Sequence, residues 1–142
     1  MPGACLAILQ SGPALYQIDE QERLHKVDHP RCDSGVPLVS GRFREAEDGS
    51  LDDVRARDLI RSVHVLQRTY PELYSRLSEL KMSDTGLTLY IDAPRIRVDA
   101  AAQLDRETLK RIVAAVSYLQ AEKKGGGVID LRGPEAMFFP QP

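Results

Sequence analysis

The stretch from Leu104 to Gly125 constrains the fold more than any other part of this sequence, because it predicts a helix with one face to bury. Asp105 is a good N-terminal cap, and Leu104 before it can pack against Leu109. Gly125 is the predicted C-terminal stop. At helical spacing, the inward stripe comprises Leu109, Ile112, Val113, Val116, Leu119 and Gln120. Such a helix needs a sheet or another helix to cover that stripe.

A second amphipathic helix is predicted earlier in the chain. It begins near Ser50, which can cap it, and Asp52 and Asp53 put negative charge in the first turn, where the helix dipole favours it. Pro71 limits how far the helix can extend. Its buried stripe comprises Ala56, Leu59, Ile60, Val63, Leu66 and Tyr70. The opposite, polar face carries Arg57, Arg61, His64 and Arg68.

Short strands flank the two helices. Residues 87–92 alternate apolar and polar side chains, and the preceding residues 84–86 read Asp-Thr-Gly, which predicts a hairpin turn. The predicted order is two or three strands, an extended segment, a helix, three strands, a helix and two closing strands. We therefore predict one α+β domain over residues 1–142. Its sheet is mostly antiparallel, both helices pack on one face, and the C-terminal strand lies at an open edge.

Composition excludes several classes of function. The 19 basic and 21 acidic side chains give a net charge of -2, which offers no basic surface for nucleic acid. No apolar run approaches the ~18 residues that span a bilayer. The apolar run from Ala4 to Leu9 has no basic residue before it, so we expect no signal peptide. Cys5 and Cys32 are interpreted as two buried thiols, with a disulfide as the alternative in an oxidising compartment.

One polar loop gathers possible metal ligands. It contains His25, His29, Cys32 and Asp33, but Pro30 opposes the helix that would bring them together. The loop nevertheless defines an alternative function, an intracellular α+β module that binds a metal or small ligand. The chain has no nucleophile elbow, phosphate loop, zinc-protease or dinucleotide motif. We therefore expect no enzymatic activity and no cofactor.

The last residues, 125–139, read GGGVIDLRGPEAMFF. In the first of these strands, Ile129 and Leu131 face one side, whereas Val128, Asp130 and Arg132 face the other. Spacing alone favours a surface ion pair between Asp130 and Arg132. In the alternative interpretation, Arg132 offers donors to a partner's carboxylate and the terminal strand pairs with a partner strand.

The order of these motifs resembles the extracytoplasmic β domain of the FtsQ/DivIB family of bacterial cell-division proteins. Residues 129–132 read I-D-L-R, like the strand that closes that domain, and residues 14–27 and 36–43 are similar to two earlier segments. The two helices and the hairpin follow in the family's order, so the resemblance covers nearly the whole chain. Two departures are Gly133-Pro134, where the family often has an aromatic residue, and Asp99, where it usually has glycine.

This resemblance implies a non-enzymatic scaffold of the divisome at the division septum. Such proteins lie on the extracytoplasmic face of the cytoplasmic membrane and bind the FtsB/FtsL (DivIC/FtsL) pair by strand addition. The family's POTRA domain and transmembrane helix are not in this sequence, so it would correspond to the β domain alone. By the resemblance, the full-length form is expected to be anchored in the cytoplasmic membrane. Arg132 is the expected charge anchor, residues 135–139 are the expected pairing edge, and the register of Phe138 and Phe139 stays open. The expected partner-binding residues are Arg132, Gly133, Glu135, Ala136, Met137, Phe138 and Phe139.

Overall fold

Nine strands form one sheet in the computed structural model, which describes residues 5–32, 35–92, 95–101 and 103–141. The strands are β1 (Cys5–Ser11), β2 (Ala14–Asp19), β3 (Leu24–Val27), β4 (Leu38–Gly41), β5 (Leu77–Ser83), β6 (Gly86–Ile91), β7 (Ile96–Ala100), β8 (Gly127–Asp130) and β9 (Met137–Pro140). The helices are α1 (Val54–Thr69), α2 (Pro71–Arg76) and α3 (Arg106–Ala121).

The strand order across the sheet is β3-β2-β1-β4-β5-β6-β7-β8-β9. The pairs β1–β4, β4–β5 and β7–β8 are parallel, and the other neighbouring pairs are antiparallel. The last two parallel pairs are joined through helices, as parallel strands require a long crossover. The predicted α+β class with a mostly antiparallel sheet is confirmed, and β9 lies at an edge as expected.

One face of the sheet carries the core. A single row of side chains, one from each neighbouring strand, crosses the sheet in register from Leu9 through Val39, Leu80, Leu89 and Val98 to Ile129. All six are nearly inaccessible to solvent, and the inward stripes of α1 and α3 belong to the same cluster. Burying each such side chain contributes about 1.5–3 kcal/mol. The other face carries polar and half-exposed side chains.

Helix α1 begins three residues later than the Ser50 cap predicts, so that prediction is wrong. Ser50 instead bonds to Asp48, 2.6 Å between hydroxyl and carboxylate. The N-cap is Asp53, whose Oδ1 accepts the backbone N–H of Arg55 at 2.9 Å, while Oδ2 accepts that of Arg44 at 2.9 Å. Asp53 can tie the helix to the preceding loop because its side chain is buried, a feature that the local sequence does not reveal.

Helix α3 starts as predicted and ends earlier. The Asp105 carboxylate accepts the N–H of Thr108 at 2.8 Å, which confirms the cap. The helix stops at Ala121, and Lys123, not Gly125, takes the left-handed conformation, with φ of 54°. The N–H of Lys124 donates to Leu119 at 2.9 Å, which completes a Schellman motif.

The environment of His64 also differs from the prediction of a polar-face residue. Its side chain is 13% exposed, and Nδ1 lies 2.8 Å from Oε2 of Glu22. Glu22 itself has a positive φ of 65° in the turn between β2 and β3. This turn therefore covers His64 and attaches the edge hairpin to α1.

We expect Asp53→Ala to lower the free energy of unfolding by about 1–2 kcal/mol, because it removes a buried carboxylate that accepts two backbone N–H groups.

The hydrogen bond from the Arg55 side chain holds the pKa of Asp53 well below its ordinary value. A carboxylate with a depressed pKa stabilises the fold above its unfolded pKa and ceases to do so as pH falls through the lower, folded value. The difference between wild type and Asp53→Asn should therefore be constant at pH 5–7 and shrink below about pH 4.

Chemical denaturation at each pH measures both effects. Asp105→Ala is the matched control, because Asp105 also caps a helix but is exposed and bonds to one backbone N–H. Equal losses in the two variants would contradict the special role assigned to Asp53.

Candidate partner-binding site

The sheet ends on β3 at one side and on β9 at the other, and the hydrogen bonds of β8 determine which groups of β9 remain open. Gly127 donates to Arg95 at 3.2 Å and Leu131 donates to Asp99 at 2.8 Å, so the odd-numbered residues of β8 direct their backbone groups to β7. The even-numbered residues therefore face β9, in agreement with the 3.0 Å bond from Gln141 N–H to the Gly126 carbonyl.

This alternation fixes which backbone groups of β9 remain open. Met137 and Phe139 are the register partners of Asp130 and Val128, so their N–H and C=O groups point to β8. The N–H and C=O of Phe138 point away from the sheet. Pro140 has its C=O on the same outer side and no N–H, as is typical of proline on an edge strand.

The side chains of β9 divide between the two faces of the sheet. Phe138 pairs with Ile129 and packs against the core, whereas Met137 and Phe139 lie on the open face and are 54% and 51% exposed. The register that the sequence leaves open is thus defined, with one phenylalanine on each face. Glu135 and Ala136 lie just ahead of β9 and are exposed, as is Gly133.

Arg132 follows β8, the strand next to this edge, and is held by Asp130. It also shares a surface depression with residues of β6 and β7, including Asp99. Its Nε and Nη2 donate to the two carboxylate oxygens of Asp130 at 3.0 and 2.9 Å, and its backbone N–H donates to Oδ1 at 3.0 Å. These bonds lower the pKa of Asp130 to about 2 and raise the pKa of Arg132. The guanidinium is more than half exposed, and Nη1 and the outer hydrogen of Nη2 are not used in this pair.

Arg111 is a site residue that sequence reasoning missed. From α3 it donates to the carbonyls of Leu131 at 3.0 Å and Gly133 at 2.9 Å, and so fixes the bend between β8 and β9 to the helix. In the sequence it is one basic residue of an amphipathic helix. Only the packing of α3 beside β8 reveals its role.

An apolar groove of about 370 Å³ runs between α3 and β9. Its walls include Ala115 and Tyr118 from the helix and Met137 and Phe138 from the strand, and Arg111 lies at its margin. Tyr118 is 60% exposed, which is unusual for so large an aromatic side chain without a partner. The groove adjoins the open backbone groups of Phe138.

Two of the three glycines at positions 125–127, where β8 begins, allow the strands to approach closely. A Cβ at Gly126 would collide with the Arg95 carbonyl, and one at Gly127 would collide with the Phe139 carbonyl. A Cβ at Gly125 would meet open space. The glycine run thus permits close packing of β7, β8 and β9 and does not form a phosphate-binding loop.

The alternative metal-binding loop has other contacts. Cys32 forms a disulfide with Cys5, with 5.5 Å between their Cα atoms, which corrects the interpretation as two free thiols. His25 Nε2 lies 2.9 Å from Oδ2 of Asp19. Asp33 lies outside the described residues, and among those that are described no group of three or more His, Cys, Asp or Glu side chains could hold a metal ion.

Comparison with known proteins adds no family assignment. No protein-family model matches the chain, and no curated protein resembles it at a significant level. The likeness to the FtsQ/DivIB family therefore depends on the order of its motifs. Across the residues that the structure describes, no helix is long and apolar enough to cross a membrane.

We expect Cys5 and Cys32 of protein purified without reductant to resist alkylation until the protein is reduced under denaturing conditions. Mass spectrometry of the intact chain measures this directly. Cys5→Ser should lower the free energy of unfolding by about 3 kcal/mol, as expected when a link that closes a loop of this length is removed. Cys32→Ser should give the same loss. Alkylation of both thiols in the folded, unreduced protein would contradict the pairing.

Proposed function

We propose that this chain is a non-enzymatic scaffold that binds another protein by strand addition at β9, and that the partner is the FtsB/FtsL (DivIC/FtsL) pair of the divisome. The observation that carries the proposal is the open N–H and C=O of Phe138 at the end of the sheet, flanked by Arg132 and an apolar groove. An added strand would satisfy those backbone groups and continue the sheet.

The charges at the edge favour an acidic segment. Asp130 occupies one side of the Arg132 guanidinium and Asp99 lies nearby, so a partner carboxylate would bind at the Nη1 and Nη2 hydrogens that Asp130 does not use. Asp130 also holds the guanidinium in place, which lowers the entropy lost when the partner binds. Arg132 would then link two carboxylates, one from each chain.

The groove between α3 and β9 would receive an apolar side chain of the added strand. Alternate residues of that strand would point toward Tyr118 and Phe138 on one face and toward Met137 and Phe139 on the other. Contacts on both faces would supply the specificity that backbone hydrogen bonds lack.

The disulfide supports an extracytoplasmic location for the domain. A bond such as Cys5–Cys32 persists in oxidising compartments and is rare in the reducing cytosol. This agrees with a place on the outer side of the cytoplasmic membrane, at the septum, with the full-length protein anchored in that membrane.

We expect Arg132→Glu to weaken partner binding about 5- to 150-fold, corresponding to about 1–3 kcal/mol for a charge-assisted contact. Titration calorimetry with the extracytoplasmic segment of the cognate FtsB or DivIC homologue measures the affinity. Lys81→Glu, an equal charge change at an exposed position on β5, is the matched control and should have little effect. Unchanged affinity for Arg132→Glu, or the same loss in both variants, would contradict the role of Arg132.

Strand addition makes a second, independent prediction about single amides. The outward N–H of Phe138 should exchange quickly with solvent in the free protein and slowly in the complex, whereas the N–H of Phe139 already faces β8 and should be protected in both states. Hydrogen exchange followed by NMR resolves the two positions. Binding without new protection at Phe138 would rule out pairing through this edge.

A further inference from the structure

Exposed large apolar side chains form two groups in the described part of the chain. Tyr118, Met137 and Phe139 lie at or beside the β9 edge. Val54 and Val65, which are 68% and 39% exposed, lie far along the chain from that edge, on α1. Eleven residues correspond to about three helical turns, so the two valines project from the same side of α1.

The two valines border a groove of about 460 Å³ between α1 and the start of α3. Its floor is apolar and includes Leu59, Met82 and Leu104. The Ser62 hydroxyl donates to the Leu104 carbonyl at 2.8 Å, which links α1 to the residue that precedes the Asp105 cap of α3.

The outward stripe of α1 has the spacing of a helix-packing seam. Val54, Asp58, Arg61, Val65 and Arg68 follow one another at intervals of four, three, four and three residues. Helices that pack side by side contact each other through residues at such alternating intervals of four and three, so a second helix with apolar residues at the same spacing could pack here.

The charge of the groove indicates which kind of helix would fit. The side chains of Arg61 and Arg106, on opposite rims, make no ion pair or hydrogen bond within the described residues. Arg55 is paired with Asp53, and the Asp105 carboxylate is bonded to the N–H of Thr108.

Asp58, one helical turn before Arg61, is the second acidic residue that lines the groove, after Asp105. The helix layer as a whole is basic, because α1 carries four arginines and one aspartate, and α3 carries three basic residues and one glutamate, in a chain of net charge -2.

We propose that this groove is a second docking site, separate from β9, for an acidic amphipathic helix of a partner protein. Apolar side chains of that helix contact Val54 and Val65, and an acidic residue between them lies between Arg61 and Arg106. A basic residue opposite Asp58 fixes the direction of the helix, since the reverse direction would place like charges together.

The test uses the whole chain and two stapled helical peptides of about 14 residues. Both carry leucines at alternating four- and three-residue intervals; one has glutamates at the flanking positions and the other has lysines. Fluorescence anisotropy measures binding, and NMR shifts locate the peptide. We expect the glutamate peptide to bind with shifts at Val54, Val65 and Leu109, and the lysine peptide to bind at least about tenfold more weakly.

Variants of the protein complete the test. Arg61→Glu should weaken binding of the glutamate peptide at least about tenfold and strengthen binding of the lysine peptide. Arg106→Glu should have the same effects and tests the opposite rim. Lys81→Glu, an equal charge change on the other face of the sheet, and Arg132→Glu, at the β9 edge, should leave binding unchanged. Equal binding of the two peptides, no binding of either, shifts confined to β9, or insensitivity to both rim variants would overturn the proposal.

Discussion

The structure depends on a sheet that buries only one of its faces. The row from Leu9 to Ile129 has almost no access to water, and the buried stripes of α1 and α3 belong to the same core cluster. The helices also carry the chain across the parallel pairs β4–β5 and β7–β8. The two helices α1 and α3 thus both bury the core face of the sheet and make the crossovers that these parallel pairs require.

This arrangement also determines where β9 lies. Once α3 has returned the chain to pair β8 with β7, the outer side of β8 is the nearest place for a following strand. Arg111 then holds the intervening bend through two carbonyls, and Gly126 and Gly127 remove the side chains that would separate the strands. The open edge is thus built by specific contacts and is not a frayed end of the sheet.

Local patterns were sufficient to predict the two long helices, most strands and the fold class, but not the short helix α2. Apolar runs and alternation predict the strands, and helical spacing predicts the stripes of α1 and α3. Asp105 is predictable as a cap from its residue type and from Leu104 and Leu109 beside it, and its bond to Thr108 confirms this. The strand order was not predictable, since β4 lies between β1 and β5 for reasons of long-range packing. The Asp53 cap was missed because its burial depends on Arg44 and the loop that precedes the helix.

The same division holds for the candidate site. Sequence identified Arg132 and the terminal strand, and considered the Asp130 pair that the structure contains. It could not identify Arg111 or the groove beside Tyr118, because each requires α3 to lie next to β8. The faces of Phe138 and Phe139 depend on a register that Gly133-Pro134 leaves undetermined in the sequence. The Cys5–Cys32 bond joins residues brought together by the loop between β3 and β4.

An open edge must also avoid pairing with a second copy of itself. Two β9 strands paired antiparallel around Phe138 would place Ala136 opposite Pro140, where no N–H can meet the Ala136 carbonyl, so each flanking pair would lack one bond. The strand is short, and the charge beside it is already matched within the chain by Asp130. A different protein can instead supply a longer strand, a carboxylate for the free side of Arg132 and an apolar side chain for the groove. The features that weaken self-association at β9 are thus the ones that leave room for a foreign partner.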